Sequence, residues 1–225
     1  MGMVLPIASL NEDKVIENFL GSATVLKQKG NSLLLVTCAH LLNNQLNPII
    51  IYPPHSGILS NLQSYPQAAF KFSPVEVLDI NPLLDLVFLK LNGIEGLITL
   101  PSLLDDFQKI EVGESVVVLS YPFAPLGSVL ETFHPCFVSA KGLRIISPEL
   151  GVKELILTYH AHTGSSGGGV YSQKDGKLCG IVRGALAISD TLRIGNIPVG
   201  TDSSVTFAIS TEEFIKDVTY YINQF

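Results

Sequence analysis

Short apolar runs separated by turn residues, rather than long amphipathic stretches, organise this chain. Ser22 to Lys27, Leu33 to Cys38, Ile49 to Tyr52, Val75 to Ile80 and Leu86 to Leu91 are rich in Val, Ile, Leu and Phe. Val116 to Tyr121, Phe133 to Ala140, Leu155 to His160, Gly168 to Tyr171, Leu178 to Val182 and Val205 to Ile209 continue the series. Gly, Pro, Asn, Asp or Ser bounds each run, and this punctuation of strands by turns predicts a mostly β protein. Lys29-Gly30-Asn31 and Lys174-Asp175-Gly176-Lys177 mark two hairpins. One segment departs from the pattern. After Ser210-Thr211, with Glu212 and Glu213 in the first turn, Phe214, Ile215, Val218 and Ile222 recur at helical spacing, which predicts a C-terminal helix with one face on the body. Gly93 to Glu114 shows little periodicity and reads as the connection between two halves. Asn43 to Ala68, rich in Pro, Asn and Ser, reads as surface loops around a strand.

Composition narrows the function more than the fold. Of 225 residues, 47% are hydrophobic and 15% charged, enough apolar surface for a sizeable core and too little charge for a disordered chain. Mean hydropathy is +0.39. Lys and Arg number 14 against 20 Asp and Glu, a balance of −6, with no basic cluster. A protein that tracks a nucleic-acid backbone or an acidic membrane surface needs the opposite balance, so neither nucleic acid nor membrane is expected as a partner. The apolar stretch Leu33 to Leu42 is interrupted by Thr37 and His40 and is far shorter than the ~20 residues of a membrane helix. Met1 to Leu10 has no basic residue ahead of its apolar residues and does not read as a secretory signal. Cys38, Cys136 and Cys179 cannot all pair within one chain and show no Cys-x-x-Cys spacing, which fits a reducing compartment. A cytoplasmic location is the expectation.

Three local features carry chemistry. In Gly164-Ser165-Ser166-Gly167-Gly168 the glycines allow a tight turn that presents the Ser166 hydroxyl and directs the N–H groups of Gly164 and Ser166 at one small space, where an oxyanion can be held. A serine hydroxyl needs a base, and His40 ends the apolar run that starts at Leu33. An imidazole needs an orienting carboxylate, and Asp85 leads the apolar run Leu86-Val87-Phe88-Leu89-Lys90. Each has an ordinary reading by itself: a flexible turn, a satisfied core histidine, a strand-end aspartate. His160 and His162, two apart at the end of a predicted strand, share a face there. They offer zinc two ligands and the sequence supplies no third or fourth, so the pair reads as pocket-lining or structural and no metal is expected.

In order along the chain, Thr37-Cys38-Ala39-His40, Asp85-Leu86-Val87-Phe88-Leu89-Lys90 and Gly164-Ser165-Ser166-Gly167-Gly168 resemble the His, Asp and Ser motifs of the trypsin-like serine proteases. Gly21-Ser22-Ala23-Thr24-Val25 resembles the first strand of their HtrA/DegP branch. Val112-Gly113-Glu114-Ser115-Val116 with Tyr121-Pro122-Phe123 resembles the strand opening the second half, Asp175 to Val182 the hairpin after the nucleophile, and Phe207-Ala208-Ile209-Ser210 the last strand. The resemblance thus covers most of Gly21 to Phe225. It implies two packed antiparallel β-barrels in the trypsin-like fold, residues 1–100 carrying His40 and Asp85, and residues 101–225 carrying Ser166 and the terminal helix. It implies a serine endopeptidase acting on a polypeptide substrate: Ser166 as nucleophile, His40 as base then acid, Asp85 as its orienting carboxylate, and Gly164 and Ser166 as the oxyanion donors. It places His160 near the floor of the primary specificity pocket. No metal or organic cofactor is called for.

The departures from the family pattern carry expectations too. Gly169 stands where proline is usual and is expected to loosen one turn, and Cys38 beside His40 is expected to pack as a small hydrophobe. Leu41 stands where secreted relatives carry a half-cystine, and no PDZ domain is expected after the helix. Ser165 occupies the position of the carboxylate that pairs with a freed N-terminus in pancreatic-type relatives. Activation by an N-terminal cut is therefore not expected, and the oxyanion loop must be ordered by its own packing or by an activating peptide or protein partner. The same motifs also admit a catalytically silent peptide-binding module and an esterase using the same triad. The oligomeric state is not legible in them.

Overall fold

Apolar runs without clean alternation become strands that are covered on both faces. The computed structural model describes residues 3–42, 47–52, 63, 71–96, 100–187, 193–194, 197–198 and 202–225, the side chains of 186–204 excepted. In the first half β1 (Val4–Leu10), β2 (Ile16–Lys29), β3 (Ser32–Cys38), β4 (Pro48–Tyr52), β5 (Lys71–Pro74), β6 (Glu76–Asn81) and β7 (Leu86–Asn92) form one antiparallel sheet in the order β5-β4-β1-β2-β3-β7-β6. Its two edges, β5 and β6, are separated in sequence only by Val75, so the sheet curls until one segment borders both ends. The second half contributes β8 (Ser115–Ser120), β9 (Thr132–Ser147), β10 (Leu150–Leu157), β11 (Gly169–Ser172) and β12 (Leu178–Ala187), then the small pair β13 (Arg193–Ile194) and β14 (Ile197–Pro198), then β15 (Asp202–Ser210). Of these, β10-β15-β12-β11-β8-β9 close into a barrel. One α-helix among the described residues, α1 (Ile215–Ile222), follows.

Alternate residues of the key strands serve two different cores. On β3, Leu33 and Leu35 fill the first sheet with Leu5, Ile7, Val87 and Leu89, whereas Leu34 and Val36 face a second cluster that joins the halves. On β8, Val116 and Val118 fill the closed barrel, whereas Val117 and Leu119 face that same joint. Period-two geometry therefore sends every residue of such a run into apolar surroundings, which is why the sequence shows no polar face there. The predicted helix supplies the lid of the joint. Phe214 and Val218 are buried in it, and the Phe214 and Tyr221 rings lie 6.2 and 5.0 Å from that of Phe88. The helix begins at Ile215 because Thr211–Glu213 form a 3-10 turn in which the Ser210 hydroxyl accepts from the Glu212 N–H.

Some elements differ from expectation. β1 is a strand between β2 and β4 with Leu5 and Ile7 fully buried, although Pro6 argues against an interior strand. The conflict dissolves in the register, because β4 pairs only with Ile7, Ala8 and Ser9. The connection between the halves is packed rather than loose: Leu104 N–H donates to the Leu178 carbonyl, Leu178 N–H to that of Ser102, and Phe107 and Ile110 are buried. Of the loops expected over Asn43 to Ala68, most lie outside the described residues, and β4 is the strand among them. No helix among the described residues is long and apolar enough to cross a membrane.

Candidate active site

The fold brings the ends of β3 and β7 together at His40 and Asp85. These strands pair in register from Ser32 opposite Asn92 to Cys38 opposite Leu86, so the residues just beyond β3 meet the residue just before β7. Asp85 Oδ2 lies 2.7 Å from His40 Nδ1, and Asp85 Oδ1 accepts the His40 backbone N–H at 2.9 Å. An ionised carboxylate only accepts, so this contact leaves the proton on Nδ1 and the lone pair on Nε2. The Asp85 backbone has φ +60°, and its carbonyl accepts the Ala39 N–H, so the turn carrying it is held in a conformation that L-residues seldom adopt unsupported.

The Gly164–Gly168 loop that carries Ser166 is held by its backbone groups. The Gly164 carbonyl accepts the Ser22 hydroxyl at 2.8 Å, the Ser165 carbonyl the Gly168 N–H, the Ser166 carbonyl the Ser22 N–H, and the Gly167 carbonyl the Thr24 hydroxyl. Ser165 N–H donates to His162 and Gly167 N–H to Val182. That leaves the N–H groups of Gly164 and Ser166 without an acceptor among the described residues. Two unspent backbone donors, on Ser166 itself and two residues before it, are the kind of groups an oxyanion site draws on. Glycine is obligatory on steric grounds: a Cβ on Gly164 (φ +102°) would stand 2.4 Å from the Tyr121 carbonyl oxygen, and one on Gly167 (φ +83°) 1.9 Å from that of Ser22. β2 thus reaches across from the first half and holds the loop of the second, and Ser22 itself is steadied by the Thr37 hydroxyl on its carbonyl.

Ser165 is fully buried, and its hydroxyl is bonded to the Tyr159 hydroxyl at 2.9 Å and to the His162 N–H at 3.1 Å. The Ser166 hydroxyl donates to the carbonyl of Arg183 at 3.0 Å. Cys38 is more than a filler: its thiol donates to the Val182 carbonyl and, with His40 and Asp85, forms a trio of polar side chains whose ligand-type atoms lie within 4.8 Å of one another. Burial, with the Asp85 charge beside it, holds that thiol far above its ordinary range, so it remains protonated. Gly169 is not a loosened turn. It lies in β11, and a side chain there would strike the Tyr171 ring 2.6 Å away.

The expected shared strand face of His160 and His162 is corrected. β10 ends at Leu157, because the Thr206 hydroxyl binds both the Tyr159 carbonyl and the Ala161 N–H and bends the chain out of the sheet. The two rings nevertheless lie 4.7 Å apart, with Phe123 on the far side of His162 at 5.3 Å. Sequence reasoning passed over Arg144, Glu154 and Arg183, and over the anchoring roles of Ser22 and Thr24. Their signal was polar or charged residues set within apolar strands.

A family model described as a trypsin-like peptidase domain matches residues 21–181. Among solved structures, the HtrA-type protease AlgW with tripeptide superposes with a TM-score of 0.69 at 18% identity, covering 99% of this chain and 60% of its own. The Rv3671c protein of M. tuberculosis H37Rv superposes with a TM-score of 0.63 at 18% identity, covering 97% of this chain and 85% of its own. This chain therefore spans about 60% of the HtrA-type protease it matches. No curated protein sequence matches it.

Proposed function

Because the chain belongs to the trypsin-like peptidase family, we propose that it is a serine endopeptidase working through His40, Asp85 and Ser166. The observation that carries this reading is the pair of unspent N–H groups at Gly164 and Ser166 beside a histidine already oriented by Asp85. For this chemistry the Ser166 hydroxyl must leave the Arg183 carbonyl and turn to His40. The oxygen then attacks a peptide carbonyl, the proton passes to Nε2, and the oxyanion is held by the two N–H groups. Collapse breaks the C–N bond, the leaving amine takes the proton from His40, and water repeats the sequence on the acyl-enzyme. No step calls on a metal or organic cofactor.

The reading extends to regulation, specificity and place. The buried Ser165 hydroxyl and the anchors Ser22 and Thr24 support a loop ordered by its own packing, with neither an N-terminal ion pair nor an obligatory activating partner. His160, carried over by resemblance, is the candidate for the acyl-side pocket. Three unpaired, buried cysteines support a reducing, cytoplasmic setting.

A fluorophosphonate probe on the purified protein tests the core of the reading. Label on Ser166, lost in Ser166→Ala, together with cleavage of a denatured protein, is the expected result. Label on Ser165 overturns the assignment. The resting bond from Ser166 to Arg183, rather than to His40, favours a second reading, a silent peptide-binding module; peptide binding without labelling selects it. Hydrolysis of short esters alone selects an esterase. In a peptide library, a cleavage profile unchanged by His160→Ala removes His160 from the pocket.

A further inference from the structure

Glu154 is the most deeply buried charged residue among the described residues, and the mechanism leaves it unused. It lies on β10 at 3% exposure, and its Oε1 accepts from Arg144 Nε at 2.7 Å and from Arg183 Nε at 3.1 Å. Both arginines lead to the candidate site. Arg144, on β9, donates with its other arm to the Leu83 carbonyl at 3.2 Å, in the turn of the first half that carries Asp85 at φ +60°. Arg183 is the extra residue of a β-bulge, since Val182 opposes Ala208 while Gly184 opposes Phe207. A bulge re-aims the side chain it frees, and here the guanidinium lies over the Phe207 ring and against Glu154 while the main-chain carbonyl takes the Ser166 hydroxyl.

Only the carboxylate of this group is buried, the two arginine side chains each being 30% exposed, and a buried charge is costly to desolvate, so that replacing such pairs by apolar residues is often neutral or stabilising. Fold stability is therefore a poor reason for its presence. We propose that Glu154, through Arg144 and Arg183, is a positioning residue that clamps the Asp85 turn of the first half to the strand of the second half that holds Ser166, and so keeps His40 and Ser166 in register. This rests on the endopeptidase reading. Arginine is needed at 144 because one planar fork serves two acceptors at once, a geometry lysine does not reproduce.

Two variants test the clamp. Arg144→Lys retains a partner for Glu154 and gives up Leu83; the triple replacement Arg144→Met, Glu154→Leu, Arg183→Met removes the charges but leaves the Arg183 carbonyl in place. Both are expected to unfold at temperatures near that of the parent protein. Both should lose between about 10- and 100-fold in kcat with KM little changed, the scale of a small misplacement of reacting groups. Amide exchange should quicken at Ala39 and Leu84, which donate to the Asp85 carbonyl and the Asn81 side chain at either end of the turn. Parental kcat and unchanged exchange in a folded variant overturn the proposal. If the triple replacement does not fold, Arg144→Lys decides. If the parent protein neither labels nor cleaves, the endopeptidase reading fails by itself, and the exchange at Ala39 and Leu84 still decides whether the clamp holds the turn.

Discussion

One carboxylate holds His40 twice, by ring and by backbone, and the two holds separate chemistry from architecture. Asp85→Asn keeps an oxygen for the His40 N–H but favours the wrong imidazole tautomer, so turnover is expected to fall by up to ~10⁴-fold while the unfolding midpoint stays close to the parental one. Steady-state kinetics beside a thermal melt checks this, and near-normal turnover assigns the orienting role to another acid. At this scale the sequence carried residue types and order. It did not carry the left-handed backbone of Asp85, which arises from the closure of β3 on β7, nor the partners of Ser165, which come from Tyr159 and His162 only after the chain bends away from β10.

Among the elements, β2 does the most to shape the candidate site while contributing none of the reacting side chains. Ser22 and Thr24 sit two apart and spend their hydroxyls on carbonyls of the nucleophile loop. Removing such a buried partner typically costs about 1–3 kcal/mol, so Ser22→Ala, which strands both the Gly164 carbonyl and the Tyr121 N–H, is expected to shift urea unfolding by that amount. It is also expected to slow fluorophosphonate labelling at denaturant concentrations where the fold persists. Unaltered labelling in the folded variant means that the loop keeps its shape without β2. Most strands were legible because their apolar runs end at turn residues. β1 was hidden by Pro6, and β10 was read three residues too long because Tyr159, apolar and buried, continues the run past the point where Thr206 takes over its backbone. The two polar positions of β2 were visible in the string, but which carbonyls they would meet was set by the docking of the halves.

For the whole molecule, the acid limb of stability is expected to pass through Glu212, which joins the connecting segment and β10 to the start of the terminal helix. Its carboxylate receives Lys153 and the Phe107 N–H, and these hold its carboxyl below the usual glutamate range. A lowered folded value means that the contribution is complete above the unfolded value and fades as pH falls through the folded one. Glu212→Gln should therefore be less stable than the parent near neutrality, with the gap, already reduced by solvent screening, starting to close as pH falls past the ordinary glutamate value of about 4.3 and gone only below the lowered folded value. Urea titrations across that range check the sign; a gap that widens in acid contradicts it. The reach of β2 into the nucleophile loop has a consequence for biosynthesis. Residues 1–100 leave the ribosome before residues 101–225, and domains tend to fold as they emerge, so the Ser22 and Thr24 anchors are in place before the loop that needs them exists. Separately produced halves should each resist the fluorophosphonate and accept it only after mixing. On the proposed reading, a half-made or severed chain would then carry Ser166 as an inert alcohol, and its reactivity would arise only where the two halves have met.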